Sequence, residues 1–155
     1  MDSSWHWPVD LLTGNRLDIL GKLPLARAYL EGRDDEWARK LFRDCLRALH
    51  PTGRFGEDGR KFSLKDYEVK FLNLLDSLKS TGFDSKVSRL PLSDDGSVWN
   101  GAHRIAAALA MGERVATEST NESAQVYDFR FFELAGLPSD SLGELAWEYA
   151  QAVKS

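Results

Sequence analysis

Between Ser63 and Gly82 the sequence allows little choice of structure. Ser63-Leu64-Lys65-Asp66 has the spacing of a capping box with Asp in place of the usual Glu, and Phe62 is placed to staple onto Tyr67 one turn later. Leu64, Tyr67, Phe71, Leu74, Leu75 and Leu78 then recur on one helical face until Gly82, with Phe83 as the apolar partner of a Schellman ending. A long helix with one apolar face calls for a core to cover it. At 155 residues and 43% hydrophobic, the chain has about one domain's length and can bury such a core without metals or disulfides, so residues 1-155 are read as a single domain.

The remaining elements follow from the same signals. Trp37, Leu41, Cys45, Ala48 and Leu49 recur at helical spacing from a start at Asp34-Asp35 to a stop at Pro51. A weaker helical stretch after Asn15 is interrupted at Pro24, resumes from Leu25 to Leu30 and closes at Gly32. A compact helix is expected from Ala102 to Met111, ended by Gly112, and two more over Asp128 to Ala135 and Asp140 to Val153. Short strands are expected at Trp5–Leu12, where Pro8 confines the strand to an edge, and at Ser88–Leu92, Ser97–Asn100 and Arg114–Glu118. The second and third flank an Asp94-Asp95-Gly96 reversal. Thr52 to Lys61, rich in Gly and charge, reads as a loop, either a lid or a plain connector. The fold class is α+β, a small mixed sheet surrounded by helices.

Several functions are disfavoured at once. The net charge of -4 argues against a protein that neutralises many phosphates along a nucleic acid, although a single basic pocket remains compatible with it. No apolar run approaches the roughly 20 residues needed to span a bilayer, so a cytoplasmic protein is expected. One cysteine, Cys45, forbids an intramolecular disulfide and any CxxC motif, and its expected role is packing. His6 and His50 lack companions at zinc-ligand spacing.

The segment that carries chemistry is Asn100-Gly101-Ala102-His103-Arg104. A strand that turns at Gly101 straight into a helix aims unpaired N–H groups and the positive end of the helix dipole at one spot, which suits an anion. His103 and Arg104 lie in the first helical turn, where cations are disfavoured by roughly 0.3–1 kcal/mol unless something negative offsets them. The alternative is a solvated Arg104 and a hydrogen-bonded surface His103. Arg16, Asp18 and Lys22 follow the first strand at a spacing that could bring two cations and a carboxylate to one pocket rim, the set phosphoryl transfer requires, or could form an exposed ion-pair cluster. Of five tryptophans, Trp37 and Trp147 sit on apolar helix faces and are expected in the core, leaving Trp5, Trp7 and Trp99 for a ligand.

Taken in order, Leu92, Asp95-Gly96, the Asn100 to Ala107 string, Gly112 and Val115 resemble the nucleotide-binding signature of the ParB/sulfiredoxin-like superfamily, over about a sixth of the chain. Sulfiredoxin places its catalytic cysteine where this chain has Ala102, so repair of an oxidised cysteine lacks its thiol. The DNA-segregating ParB proteins have a Glu-Arg-Arg turn and a further helix-turn-helix domain, for which too few residues remain. The turn is most similar to the free serine kinase branch, and that resemblance implies that His103 and Arg104 hold the transferred phosphate; the chain departs at Asn100, where those kinases place an acid. Asn15 to Ile19 with Lys22, Tyr67 to Asp84, the Asn100 turn and Tyr127 to Phe132 together look like ParB-like proteins associated with bacterial surface-polysaccharide synthesis.

The resemblance implies an ATP-dependent phosphotransferase, using magnesium, that acts on a hydroxyl of a small molecule or glycan intermediate. Asp18, Asn100 and His103 are its candidate catalytic residues, with Arg16, Lys22, Gly101, Ala102, His103 and Arg104 holding the nucleotide. No residue is assigned to a metal, and the expected partners are nucleotide and acceptor, without nucleic acid or a membrane span. The competing class is a non-catalytic nucleotide-sensing or protein-interaction module.

Overall fold

The computed structural model describes residues 5–51, 63–83 and 89–154. The loop expected at 52–61, the staple from Phe62 and the first residue of the Ser88 strand lie outside them. Among the described residues the protein is α+β, with three short strands, seven α-helices and one 3-10 helix.

The centre is a strand–helix–strand unit. Strand β2 (Leu90–Leu92) leads through a turn to helix α5 (Ala102–Met111), and β3 (Val115–Ser119) returns parallel to β2 with Leu90 opposite Thr117 and Leu92 opposite Ser119. Strand β1 (Trp5–His6) pairs antiparallel on the other side of β3, with His6 opposite Val115, so the order is β1-β3-β2 and β1 is an edge. The strand expected over Trp5–Leu12 is shorter than read. After Trp7 the chain turns into a 3-10 helix, Pro8–Leu11, because proline has no N–H to give a ladder and its fixed φ suits a helical first turn.

Helix α5 has the expected boundaries because glycines in the left-handed region stand at both ends, Gly101 at φ 98° and Gly112 at φ 69°. Ile105, Ala106, Ala107 and Ala108 are fully buried, and the small side chains let α5 pack closely against α1 (Leu17–Leu20), α2 (Leu23–Leu30) and α4 (Leu64–Thr81). Pro24 does not interrupt a helix. It sits in the first turn of α2, where the missing N–H has no intrahelical role.

In α4 the capping box forms, with Asp66 N–H donating to Ser63 Oγ and Ser63 N–H to Asp66 Oδ2, and Gly82 at φ 73° closes the helix on Leu78 O. Phe71 and Leu75 are its buried anchors, Phe71 stacking on Phe42 of α3 (Glu36–Leu49) at 5.5 Å. Asp35 caps α3 through Ala38 N–H. Cys45 is buried with its thiol pushed up to about 12 by desolvation, and a Cβ on Gly21 would come within 2.6 Å of its sulfur, so α1 and α3 approach at that glycine.

Helices α6 (Phe129–Leu134, capped by Asp128) and α7 (Ser139–Lys154) complete one core running from Leu11 to Leu145. The inward face of α7 is Ser141, Leu145 and Glu148, which leaves Trp147 outside it and 55% exposed. Trp37, expected in the core, lies at the rim between α3 and α7, where its indole N–H donates to Glu144 and the Lys40 ammonium sits 5.0 Å over the ring. Among the described residues no helix is long and apolar enough to cross a membrane.

Candidate functional site

The turn between β2 and α5 sets the site. Asp95 Oδ1 accepts from Ser97 N–H and from the hydroxyls of Ser93 and Ser97, which with Gly96 at φ 86° closes the reversal and brings Leu92 opposite Val98. The strand expected at Ser97–Asn100 reduces to that single bridge. Two of its backbone acceptors are taken elsewhere: Val98 O accepts from the Arg16 guanidinium, and Trp99 O accepts from Gln125 Nε2 at 2.6 Å.

Gly101 is required twice over. It occupies the left-handed region, and a Cβ there would lie 2.5 Å from Leu90 Cδ2. Gly101→Ala should therefore destabilise the protein by about 1–3 kcal/mol, from backbone strain and overpacking together. Urea denaturation checks this, and an unchanged midpoint would mean that the turn is free to relax.

A cleft of about 510 Å3 opens at this end of α5, lined among others by Arg16, Asp18, Lys22, Asn100, Gly101, Ala102 and His103. Seven of the residues singled out from the sequence thus share one wall system. Arg104 does not line it, and its guanidinium folds back against Gly101. Among the described residues the α5 N-terminus has no side-chain cap; Ile105 N–H is the first to find a helical acceptor, Gly101 O, which leaves the N–H groups of Ala102, His103 and Arg104 without one. Gly101 N–H is already taken by its neighbour Asn100, whose Oδ1 accepts it at 2.8 Å.

Opposite stands a buried charge cluster, not an exposed one. Arg16, Asp18 and Lys22 are 2%, 3% and 5% exposed. The Arg16 guanidinium is bidentate on Asp18, Nε to Oδ1 at 2.9 Å and Nη2 to Oδ2 at 2.7 Å, donates its remaining arm to Val98 O and lies 5.6 Å over the Tyr127 ring. The backbone on either side of Arg16 is held by bonds from Leu17 N–H to Tyr127 O and from Tyr127 N–H to Asn15 O. Both Asp18 oxygens are thereby engaged, so the carboxylate acts first as the partner of Arg16. Lys22 is left over: among the described residues nothing accepts a hydrogen bond from its ammonium, and burial pushes its pKa down despite the pull of Asp18.

His103 is an uncharged imidazole at neutral pH. Its ring packs 5.1 Å from Phe71, Nε2 is buried with no partner among the described residues, and desolvation, aided by Lys22, pushes its pKa down to about 3. The expectation of two cations in the first turn of α5 is corrected on this point, because packing against Phe71 of α4 keeps Nε2 from water. The sign of the resulting pH dependence is fixed. The unfolded chain takes a proton near 6.5 and the folded one only near 3, so this residue costs stability as pH falls through that window. His103→Gln should flatten the fall in melting temperature between pH 7 and 4; parallel curves would show that the ring is solvated.

Leu46, Leu49, His50, Tyr67, Gln125 and Tyr127 also line the cleft and were not read as site residues. The signal for two of them was present, since Tyr67 and Tyr127 open the segments that carried the wider resemblance. No family model, curated protein or solved structure matches the chain.

Proposed function

We propose that the cleft binds the phosphates of a nucleotide at the N-terminus of α5, and that the protein is an ATP-dependent phosphotransferase of ParB/sulfiredoxin-like fold acting on a hydroxyl of a small molecule or glycan intermediate. The observation that carries this reading is the meeting, in one cleft, of uncapped helix N–H groups with the ammonium of Lys22, a residue 5% exposed for which no acceptor is found among the described residues. An anion seated in the cleft would give both a partner of opposite charge. The strand, left-handed glycine turn, small-residue helix and parallel return strand support the fold assignment.

The cleft does not fit a protein-held magnesium site: Asp18 has both oxygens on Arg16, and among the described residues no three His, Cys, Asp or Glu side chains converge. The chain's own residues supply positioning and positive potential to the phosphates. A second reading, a nucleotide-binding module without chemistry, is favoured by the engagement of Asp18 and by the amide at Asn100.

Asn100→Asp separates the two. It keeps the acceptor for Gly101 N–H and restores the acid found in related kinases. ATP affinity and ADP release are measured for both forms with magnesium and a panel of serine, sugars and cyclitols. The transferase reading expects ADP formation preserved or raised in the variant. ATP binding with no ADP from either form favours the module, and absence of ATP binding overturns both.

A further inference from the structure

Holding a phosphate makes use of the charge on Lys22 but not of its amine. The side chain reaches the cleft from a buried position and has no acceptor among the described residues, while its closest carboxylate partner in sequence, Asp18, is held on both oxygens by Arg16. Burial lowers the Lys22 pKa and is the largest influence on it, working against the Asp18 carboxylate and the Cys45 thiol, with a smaller push in the same direction from the Arg16 guanidinium. A lysine desolvated beside a second cation is a setting in which the amine becomes a nucleophile. Across the same cleft the Ala102 and His103 N–H groups lack helical acceptors, a seat for a phosphate.

We propose that the cleft captures an aldehyde-bearing phosphate ester as an imine on Lys22, with the phosphate seated on the N-terminus of α5. This rests on the phosphate-binding reading of the cleft. Once the ammonium gives up a proton to water, the Nζ lone pair adds to the aldehyde carbon, a C–N bond forms, and the carbonyl π pair moves to oxygen, which takes up one of the two remaining nitrogen protons. The carbinolamine then loses its hydroxyl with the second nitrogen proton as water, leaving C=N. Nothing is oxidised or reduced, and one water is released per imine. Such a site selects its substrate by two groups at once, a carbonyl for the amine and a dianion for the helix.

The probe is pyridoxal 5′-phosphate added to the full chain. Imine absorbance is followed, the adduct is fixed with borohydride and the modified lysine is located by peptide mass mapping. Expected are modification at Lys22, protection by inorganic phosphate and by ATP, and roughly tenfold slower modification by pyridoxal, which lacks the phosphate and its charge-assisted hydrogen bonds. Lys22→Arg, which keeps a cation without the amine, should lose the adduct. Modification confined to other lysines, or equal rates with pyridoxal, overturns the inference. Calorimetry of phosphate and ATP on the unsubstituted protein keeps the two readings apart. Binding without an imine at Lys22 removes this inference alone, whereas loss of binding removes both.

Discussion

Arg16→Met is expected to destabilise the protein by about 3–5 kcal/mol, the cost of leaving a buried charge without its partner. Asp18 is 3% exposed and receives both of its side-chain hydrogen bonds from this one guanidinium. The same substitution strips Val98 O of its donor and removes the cation from the Tyr127 ring, so three parts of the chain lose their common tie. Methionine fills much of the volume, which keeps a cavity from dominating the result. Removing the carboxylate as well, in Arg16→Met with Asp18→Leu, should recover much of the loss, because a buried ion pair and an apolar pair of similar size are often close in stability. Urea denaturation of the two variants reads the effect. A loss below about 1 kcal/mol in the single variant would place the pair among solvated surface contacts and contradict its burial.

What the sequence revealed is what local rules control. The ends of α5 follow from two glycines free to adopt the left-handed region, and the start of α4 from a Ser and an Asp that bond each other's backbone. Local rules also explain the misreadings. Pro24 has opposite meanings inside a helix and in its first turn, and only the position of Lys22 as the preceding cap decides between them. Ser97–Asn100 has strand-like residues, but the carbonyls of Val98 and Trp99 go to Arg16 and Gln125, the first of which is 82 residues from Val98. The neutral state of His103 depends on burial and on Lys22, both supplied by the packing of other elements around α5. The candidate residues were legible as types at plausible spacings. That Asp18 is consumed by Arg16 and Lys22 left unpaired is a fact of packing, which spacing does not encode.

That unpaired lysine gives the second large expectation, in which stability and binding move in opposite directions. Lys22→Met removes the ammonium of a residue that is 5% exposed and has no acceptor among the described residues, and replaces it with an apolar chain of similar length. The melting temperature should rise, since the desolvation cost of the charge disappears while the packing of the stem is retained. Nucleotide affinity should fall by about 1.5–3 kcal/mol, the scale of a charge-assisted hydrogen bond. The stability gain has a defined pH dependence. Because the folded pKa of Lys22 is lowered, the unfolded chain binds the proton more readily, and the wild-type penalty shrinks as pH rises from the folded value toward the ordinary 10.5. The two melting curves should therefore converge at alkaline pH. Paired thermal denaturation from pH 7 to 10 and ATP calorimetry on both proteins make the measurement. A variant that melts lower at every pH would mean that Lys22 is satisfied in the ligand-free fold; unchanged ATP affinity would mean that the phosphates do not reach it. A rise in stability with a loss of affinity identifies a residue kept for its ligand at the expense of the fold.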